Sequence, residues 1–197
     1  MRRLAVPFLL AAVLTGCTST EPGTPESGGP TPTAGPSTGT STGSRAMNRP
    51  KSVDLTALDP CSLYTDEVKT ALGVRLVTPR DPLPDYGEGS KTCSNNYEDP
   101  AYSSSIYTLL NGGVDRLKQT IGEAELAAVR VAGYPAYVDK RDTAAGPACD
   151  VYVDANDGQL LLVNAVGGFG EDGATVDGAC ERATGLANAV GPVLATR

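Results

Sequence analysis

Cys149-Asp150-Val151-Tyr152-Val153-Asp154-Ala155-Asn156-Asp157-Gly158-Gln159-Leu160-Leu161-Leu162-Val163-Asn164-Ala165-Val166 decides the fold class of this chain. In its first arm Cys149, Val151 and Val153 alternate with Asp150, Tyr152 and Asp154, the period of a strand buried on one face. Its second arm, Leu160 to Val166, reads as a more continuous apolar strand. Asn156-Asp157-Gly158 between them supplies the turn chemistry of a tight hairpin. This makes it the clearest hairpin in the chain.

Reading toward the N-terminus, Val129–Val131 and Ala136–Val138 flank a turn signal at Gly133-Tyr134-Pro135. Residues 92–98 and 103–110 read as strands separated by Glu98-Asp99-Pro100, and Val74–Val77 as a short strand before the loop from Pro79 to Gly89. Helix signals alternate with these runs. Asp59-Pro60-Cys61 and Thr65-Asp66-Glu67 are start signals, Val68, Ala71 and Leu72 share a face, and Gly73 is a stop, so a helix is expected at about 61–72. Val114, Leu117 and Ile121 predict a second helix ended by Gly122. Ala183, Leu186, Ala187, Val190, Val193 and Leu194 predict a C-terminal one, with Pro192 a kink or late break. This order predicts an α+β fold: an antiparallel sheet of about five or six strands with helices packed on one face. Residues 51–197 are long enough to bury about 70% of their unfolded surface.

Before that domain the composition changes twice. Met1-Arg2-Arg3 and the apolar run Leu4–Leu14 read as the n- and h-regions of a signal peptide, residues 1–16, because the run is too short to span a bilayer. Leu14-Thr15-Gly16-Cys17 resembles the bacterial lipobox, so Cys17 is the expected lipidation site. Two or three acyl chains there would make membrane anchoring effectively permanent. From Thr18 to Ser44 every residue except Glu21, Glu26 and Ala34 is Ser, Thr, Gly or Pro. Residues 17–50 are thus expected to be a lipidated, disordered tether with a reach of roughly 30 Å.

Composition narrows the chemistry. The chain has no His and no Trp and a formal charge of -7; from Lys51 onward 12 Lys and Arg face 21 Asp and Glu, a net -9. Without histidine no Ser-His-Asp or Cys-His pair and no imidazole ligand set can be built from it. The acidic balance argues against nucleic acid, where affinity comes mainly from Lys and Arg on phosphates. Asp154-Ala155-Asn156-Asp157-Gly158 lacks the EF-hand spacing and reads as a turn, and Gly167-Gly168-Phe169-Gly170 lacks the P-loop lysine and reads as a loop. Adjacent acids such as Asp66/Glu67 and Glu98/Asp99 read as solvated surface. No metal or cofactor is expected.

Cys61, Cys93, Cys149 and Cys180 are an even set that reads, outside the cytoplasm, as two disulfides; a four-thiolate metal site is the rival, without any C-x-x-C pair to support it. The expected pairing is Cys61 with Cys180, both near helix starts, and Cys93 with Cys149, both opening strands.

Asp59-Pro60-Cys61-Ser62-Leu63, Cys93 at a strand start, Gly133-Tyr134-Pro135-Ala136, Cys149, and Asp177 to Cys180 with Ala183 and Ala187 together resemble an actinobacterial lipoprotein family catalogued as domain of unknown function 3558. Members often carry Trp two residues after the second cysteine, where this chain has Asn95. The resemblance implies an exported, membrane-tethered α+β domain and is silent on mechanism.

Eight tyrosines dominate the aromatic set. Half-buried packing in the sheet, with hydroxyls reaching solvent, is the favoured reading of most of them; if a partner-binding surface exists, Tyr97, Tyr102 and Tyr107 with Asn95 and Asn96 are its candidates, since tyrosines with a polar tip suit contact with sugars, peptides or proteins. The expected function is a non-catalytic recognition or accessory module of the envelope, lipid-anchored through Cys17 at the outer face of the cytoplasmic membrane. Its expected partner is an envelope component or another exported protein, not nucleic acid. A carboxylate-dependent cell-wall enzyme and a carrier of an apolar ligand are the alternatives.

Overall fold

Asp59 accepts the Cys61 N–H at 2.9 Å to cap a 3-10 turn at Pro60–Leu63, and Thr65 accepts the Val68 N–H at 3.3 Å to cap α1 (Asp66–Leu72). A cap leaves helical backbone angles, so Thr65, with ψ 166°, divides the single helix expected at 61–72 into these two pieces. After Gly73 come β1 (Val74–Arg80), β2 (Thr92–Tyr97) and β3 (Tyr102–Leu109), an antiparallel meander. α2 (Gly113–Ile121) then leads to β4 (Ala127–Val131), β5 (Tyr134–Thr143), β6 (Gly146–Asn156) and β7 (Gln159–Gly167). This second meander ends against β3, and α3 (Val176–Ala195) follows. In this computed structural model the described residues are 48–81, 83–98, 100–168 and 173–197.

The result is one antiparallel sheet of seven strands in the order β1-β2-β3-β7-β6-β5-β4, larger than the five or six expected. The surplus lies at the edges. β4 exposes four of its five residues, and β1 runs on through Pro79, which only an edge strand accommodates. The sequence marks only short runs there, Val74–Val77 and Val129–Val131, which β1 and β4 extend. The central hairpin is as expected: Asn156 pairs with Gln159 across the turn Asp157-Gly158. α3 runs through Pro192 to Ala195 without the late break.

Helices occupy both faces of the sheet, not one. Alternate residues of β7 separate them: Leu161, Val163 and Ala165 belong to the cluster with Leu186, Val190 and Leu194 of α3, whereas Leu160 and Leu162 pack with Leu117 of α2. The spacing of Val114, Leu117 and Ile121 predicts an apolar helix face but not which side of the sheet receives it. The chain must pass from β3 in the interior to β4 at the far edge, and α2 makes that passage on the side α3 leaves open. Its first turn abuts the central hairpin so closely that a Cβ on Gly113 would lie 2.9 Å from the Gly158 Cα.

The disulfides join Cys61 to Cys93 and Cys149 to Cys180, which corrects the expected Cys61–Cys180 and Cys93–Cys149. The reason is strand order. β3 and β7 lie between β2 and β6, so Cys93 and Cys149 are three strand spacings, roughly 14 Å, apart, while a disulfide needs Cα atoms within about 7 Å. Each bridge instead ties a strand to the helical turn above it, across sequence separations of 32 and 31.

The folded part also begins before residue 51. Arg49 reaches Asp154 Oδ1 and Asp157 Oδ1, each at 2.7 Å, with the Arg49 and Asp154 side chains 10% and 1% exposed. Arg130 Nη1 donates to the Asn48 carbonyl at 3.2 Å. The tether expected at 17–50 therefore gives its last residues to the domain. Cys17 and the rest of that segment lie outside the described residues.

Candidate functional site

The five residues of the candidate partner surface are not brought together. Asn95, Tyr97 and Tyr102 face α1 and α3, whereas Asn96 and Tyr107 face the opposite side, because residues one apart on a strand point to opposite faces. Asn95 is buried and accepts the Tyr64 hydroxyl at 2.7 Å; burial pushes that Tyr64 hydroxyl well above its usual pKa. Tyr97 is buried with its hydroxyl 2.8 Å from Ser104 Oγ, and Tyr102 is half-buried, its hydroxyl accepting the Thr175 N–H at 2.9 Å where α3 begins. The Arg182 guanidinium stands over both rings, 5.0 Å from Tyr97 and 5.9 Å from Tyr102. A groove of about 340 Å³ lined by Leu72, Tyr97, Glu181, Arg182 and Gly185 reaches one member of this trio, Tyr97. Asn96 is exposed, and Tyr107 packs edge-on against Tyr86 with centroids 5.2 Å apart. Packing, not a shared surface, accounts for most of the set.

The α2 side carries a better site. Strand register lays side chains in rows across that face. One row runs Asp139, Asp150, Asn164, Ser105, Ser94; the next runs Tyr137, Tyr152, Leu162, Tyr107, Thr92. α2 covers part of the second row with Leu117, and the loop bearing Tyr86 closes on Tyr107. Between helix and sheet lies a cavity of about 560 Å³, with Leu109, Leu117, Ile121 and Leu160 as its apolar wall and Tyr86, Tyr152, Asp139 and Arg141 among its polar groups.

Asp139 and Asp150 face each other on β5 and β6 and share Arg141, whose Nε lies 3.2 Å from Asp139 Oδ2 and whose Nη2 pairs with Asp150 Oδ2. The two carboxylates are not equivalent. Asp150 also accepts hydrogen bonds from the Tyr152 hydroxyl at 3.0 Å and from the Asn164 amide. Asp139 lacks those donors, and burial raises its pKa against the pull of Arg141. Tyr152 is driven far above its ordinary range by burial and then by Asp150, so it stays a proton donor, and burial raises Tyr86 as well. Such an arrangement can hold a polar or charged group against Asp139 while the leucine wall takes an apolar one.

Sequence reasoning passed over Asp139, Arg141, Asp150 and Tyr152. The alternation in β6 marks Asp150 and Tyr152 as the non-core face, which reads as solvent until a helix is known to lie there. The available signal was the second amphipathic helix itself, whose apolar stripe needed a partner. In the Asp154–Gly158 segment Asp154 and Asp157 are engaged by Arg49. Among the described residues no group of three or more His, Cys, Asp or Glu is set to hold a metal ion, and no helix is long and apolar enough to cross a membrane. Of the Gly167–Gly170 loop, Phe169 and Gly170 lie outside the described residues, as does Asp99.

Fold and site define a two-disulfide α+β domain with a part-apolar, part-charged cavity beneath its second helix. The family model described as protein of unknown function (DUF3558) matches residues 12–192, and the chain belongs to that family. No curated protein and no solved structure matches it.

Proposed function

We propose that this chain is an exported lipoprotein, anchored through Cys17 at the outer face of the cytoplasmic membrane, whose domain is a non-catalytic recognition module of the envelope. Its ligand would bind in the cavity beneath α2. The cavity is the observation that carries the binding part: about 560 Å³ of space with an apolar wall and a few convergent polar groups, within the roughly 300 to 1,000 Å³ usual for small-molecule sites. Its charged rim suits an amphipathic ligand better than a wholly apolar one. The anchoring part is supported by Leu14-Thr15-Gly16-Cys17 and by the disulfides, which use the other four of five cysteines. A tether reaching roughly 30 Å would give the domain a searchable volume above the membrane.

Mass spectrometry of the N-terminal peptide from membranes is expected to find a diacylglyceryl group on Cys17, and Cys17→Ser to release or stall the chain. A Cys17→Ser chain that fractionates as wild type does would refute the anchor. For the cavity, native mass spectrometry of protein from its own cells is expected to show a retained small molecule that Thr120→Trp, at the cavity lining, excludes. Equal retention by both would place the ligand elsewhere.

The buried Asp139, whose proton burial holds more firmly than usual, favours one second reading, a carboxylate-dependent enzyme of the cell wall with Asp139 as its acid. Metal-free activity on isolated wall that Asp139→Asn abolishes would establish it over the first.

A further inference from the structure

We propose that the cavity beneath α2 takes an organic cation, an amine or quaternary ammonium carried on a compact apolar body. This rests on the reading of that cavity as the ligand site and adds the chemistry of the ligand.

Charge is the first argument. Asp85, Glu125 and Asp139 line the cavity, and Asp150 stands directly behind Asp139 in the sheet; the facing guanidinium groups are those of Arg116 and Arg141. Lys140 contributes to the lining, but its ammonium is turned to Asp177 of α3 at 3.1 Å, on the other side of the sheet. The balance is four carboxylates against two guanidinium groups. Arg141 is held by Asp139 and Asp150, and Arg116, at an exposed position, spends its Nη1 on the Asn111 carbonyl at 3.2 Å. An anion entering here would meet the unmatched carboxylates, whereas a cation would neutralise them.

The aromatic lining is the second argument. Tyr86 and Tyr152 line the cavity and Tyr107 sets the Tyr86 ring edge-on at 5.2 Å. Ring faces attract cations through their quadrupole, most strongly away from water. The same face already holds one: the Lys118 ammonium lies 5.6 Å from the centre of Tyr137, the register neighbour of Tyr152. Asp139 is the natural counter-charge, its side chain only 10% exposed and its ionised form disfavoured by burial; a bound cation would offset that penalty. Leu109, Leu117, Ile121 and Leu160 then receive the hydrocarbon part.

The test is calorimetric titration of the full chain, in a sugar-headgroup detergent with protein-free detergent as blank, with three probes of equal length: hexyltrimethylammonium, hexanoate and 1-hexanol. The cation should bind saturably at one site, about tenfold tighter than hexanoate, as expected where like charges oppose the anion. Thr120→Trp should abolish that binding. Asp139→Asn should weaken the cation about fivefold and leave hexanol unchanged, and Glu125→Gln, at an exposed position, should weaken it about twofold should Asp139→Asn fail to fold. Hexanol or hexanoate binding as tightly as the cation, and excluded by Thr120→Trp, would overturn the cation while leaving the cavity as the ligand site. Saturable binding by none of the three would overturn both.

Discussion

The two faces of the sheet use opposite means to stay closed. On the α3 side Leu186, Leu194, Val151, Val163 and Leu161 are fully or almost fully buried, and both disulfides lie there, through Cys93 and Cys149. On the α2 side a nine-residue helix covers part of the sheet over a small cluster, and that face keeps three buried carboxylates (Asp139, Asp150 and Asp154), a tyrosine hydroxyl and an open cavity. Buried ion pairs are a poor way to gain stability, since desolvation offsets most of the attraction. A fold that seals one face with leucine and cystine and leaves charge under a short helix on the other has separated the face that holds it together from the face open to a ligand.

Unpinning α3 should have the largest effect. Cys149→Ala with Cys180→Ala should lower unfolding free energy by about 4 kcal/mol on the loop-entropy model for a separation of 31 residues, measured by denaturant titration; a loss below about 1 kcal/mol would mean that the α3 face does not depend on its staple. Arg49→Ala comes next. It leaves the nearly inaccessible Asp154 carboxylate without its cation, and should cost about 3 kcal/mol. A chain starting at Lys51 should lose as much, which a melting comparison with a chain starting at Asn48 would show.

Leu117→Ala probes the looser face. Because an open cavity already adjoins that side chain, the cost should sit near the low end for such truncations, about 2 kcal/mol, with the α3 core unperturbed in hydrogen exchange. A cost near 5 kcal/mol would make the two faces equals. The smallest effect is the pH dependence of Asp139. Its pKa in the fold lies above the ordinary 3.8, so the folded state binds that proton more firmly than the unfolded chain does. Its contribution to stability therefore falls as pH rises from about 3.8 through the raised value and stays lower above it. Asp154 adds a change of the same sign, while the lowered Asp54, Asp66 and Glu67 act in the opposite sense. The difference between wild type and Asp139→Asn across that window isolates it, and a variant that keeps the full decline would show that Asp139 does not titrate in this way.

Much of this architecture was legible locally. The Cys149–Val166 hairpin, the caps at Asp59 and Thr65, and the stripe from Ala183 to Leu194 each carry their signal within a turn or two of chain. The candidate site was not legible in the same way. Asp139 and Asp150 are eleven residues apart and meet only because β5 and β6 pair in one register, and Tyr86 reaches them from a loop of the other meander. The tyrosines that looked like a surface, Tyr97 and Tyr102, are drawn inward by Ser104, Arg182 and the start of α3, none of which is a near neighbour of both in sequence.

Local patterns in the chain specify the α+β class, the Cys149–Val166 hairpin, two disulfides among four cysteines, and membership in a family whose motifs are local. Tertiary structure alone decided which cysteines join, which side α2 covers, and that Arg49 belongs to the fold. The physical reason is common to all three. Hydrophobic period, caps and turns are set by residues within a few positions of one another, whereas strand order and register are set by summed packing across the whole chain, and they alone decide which side chains become neighbours.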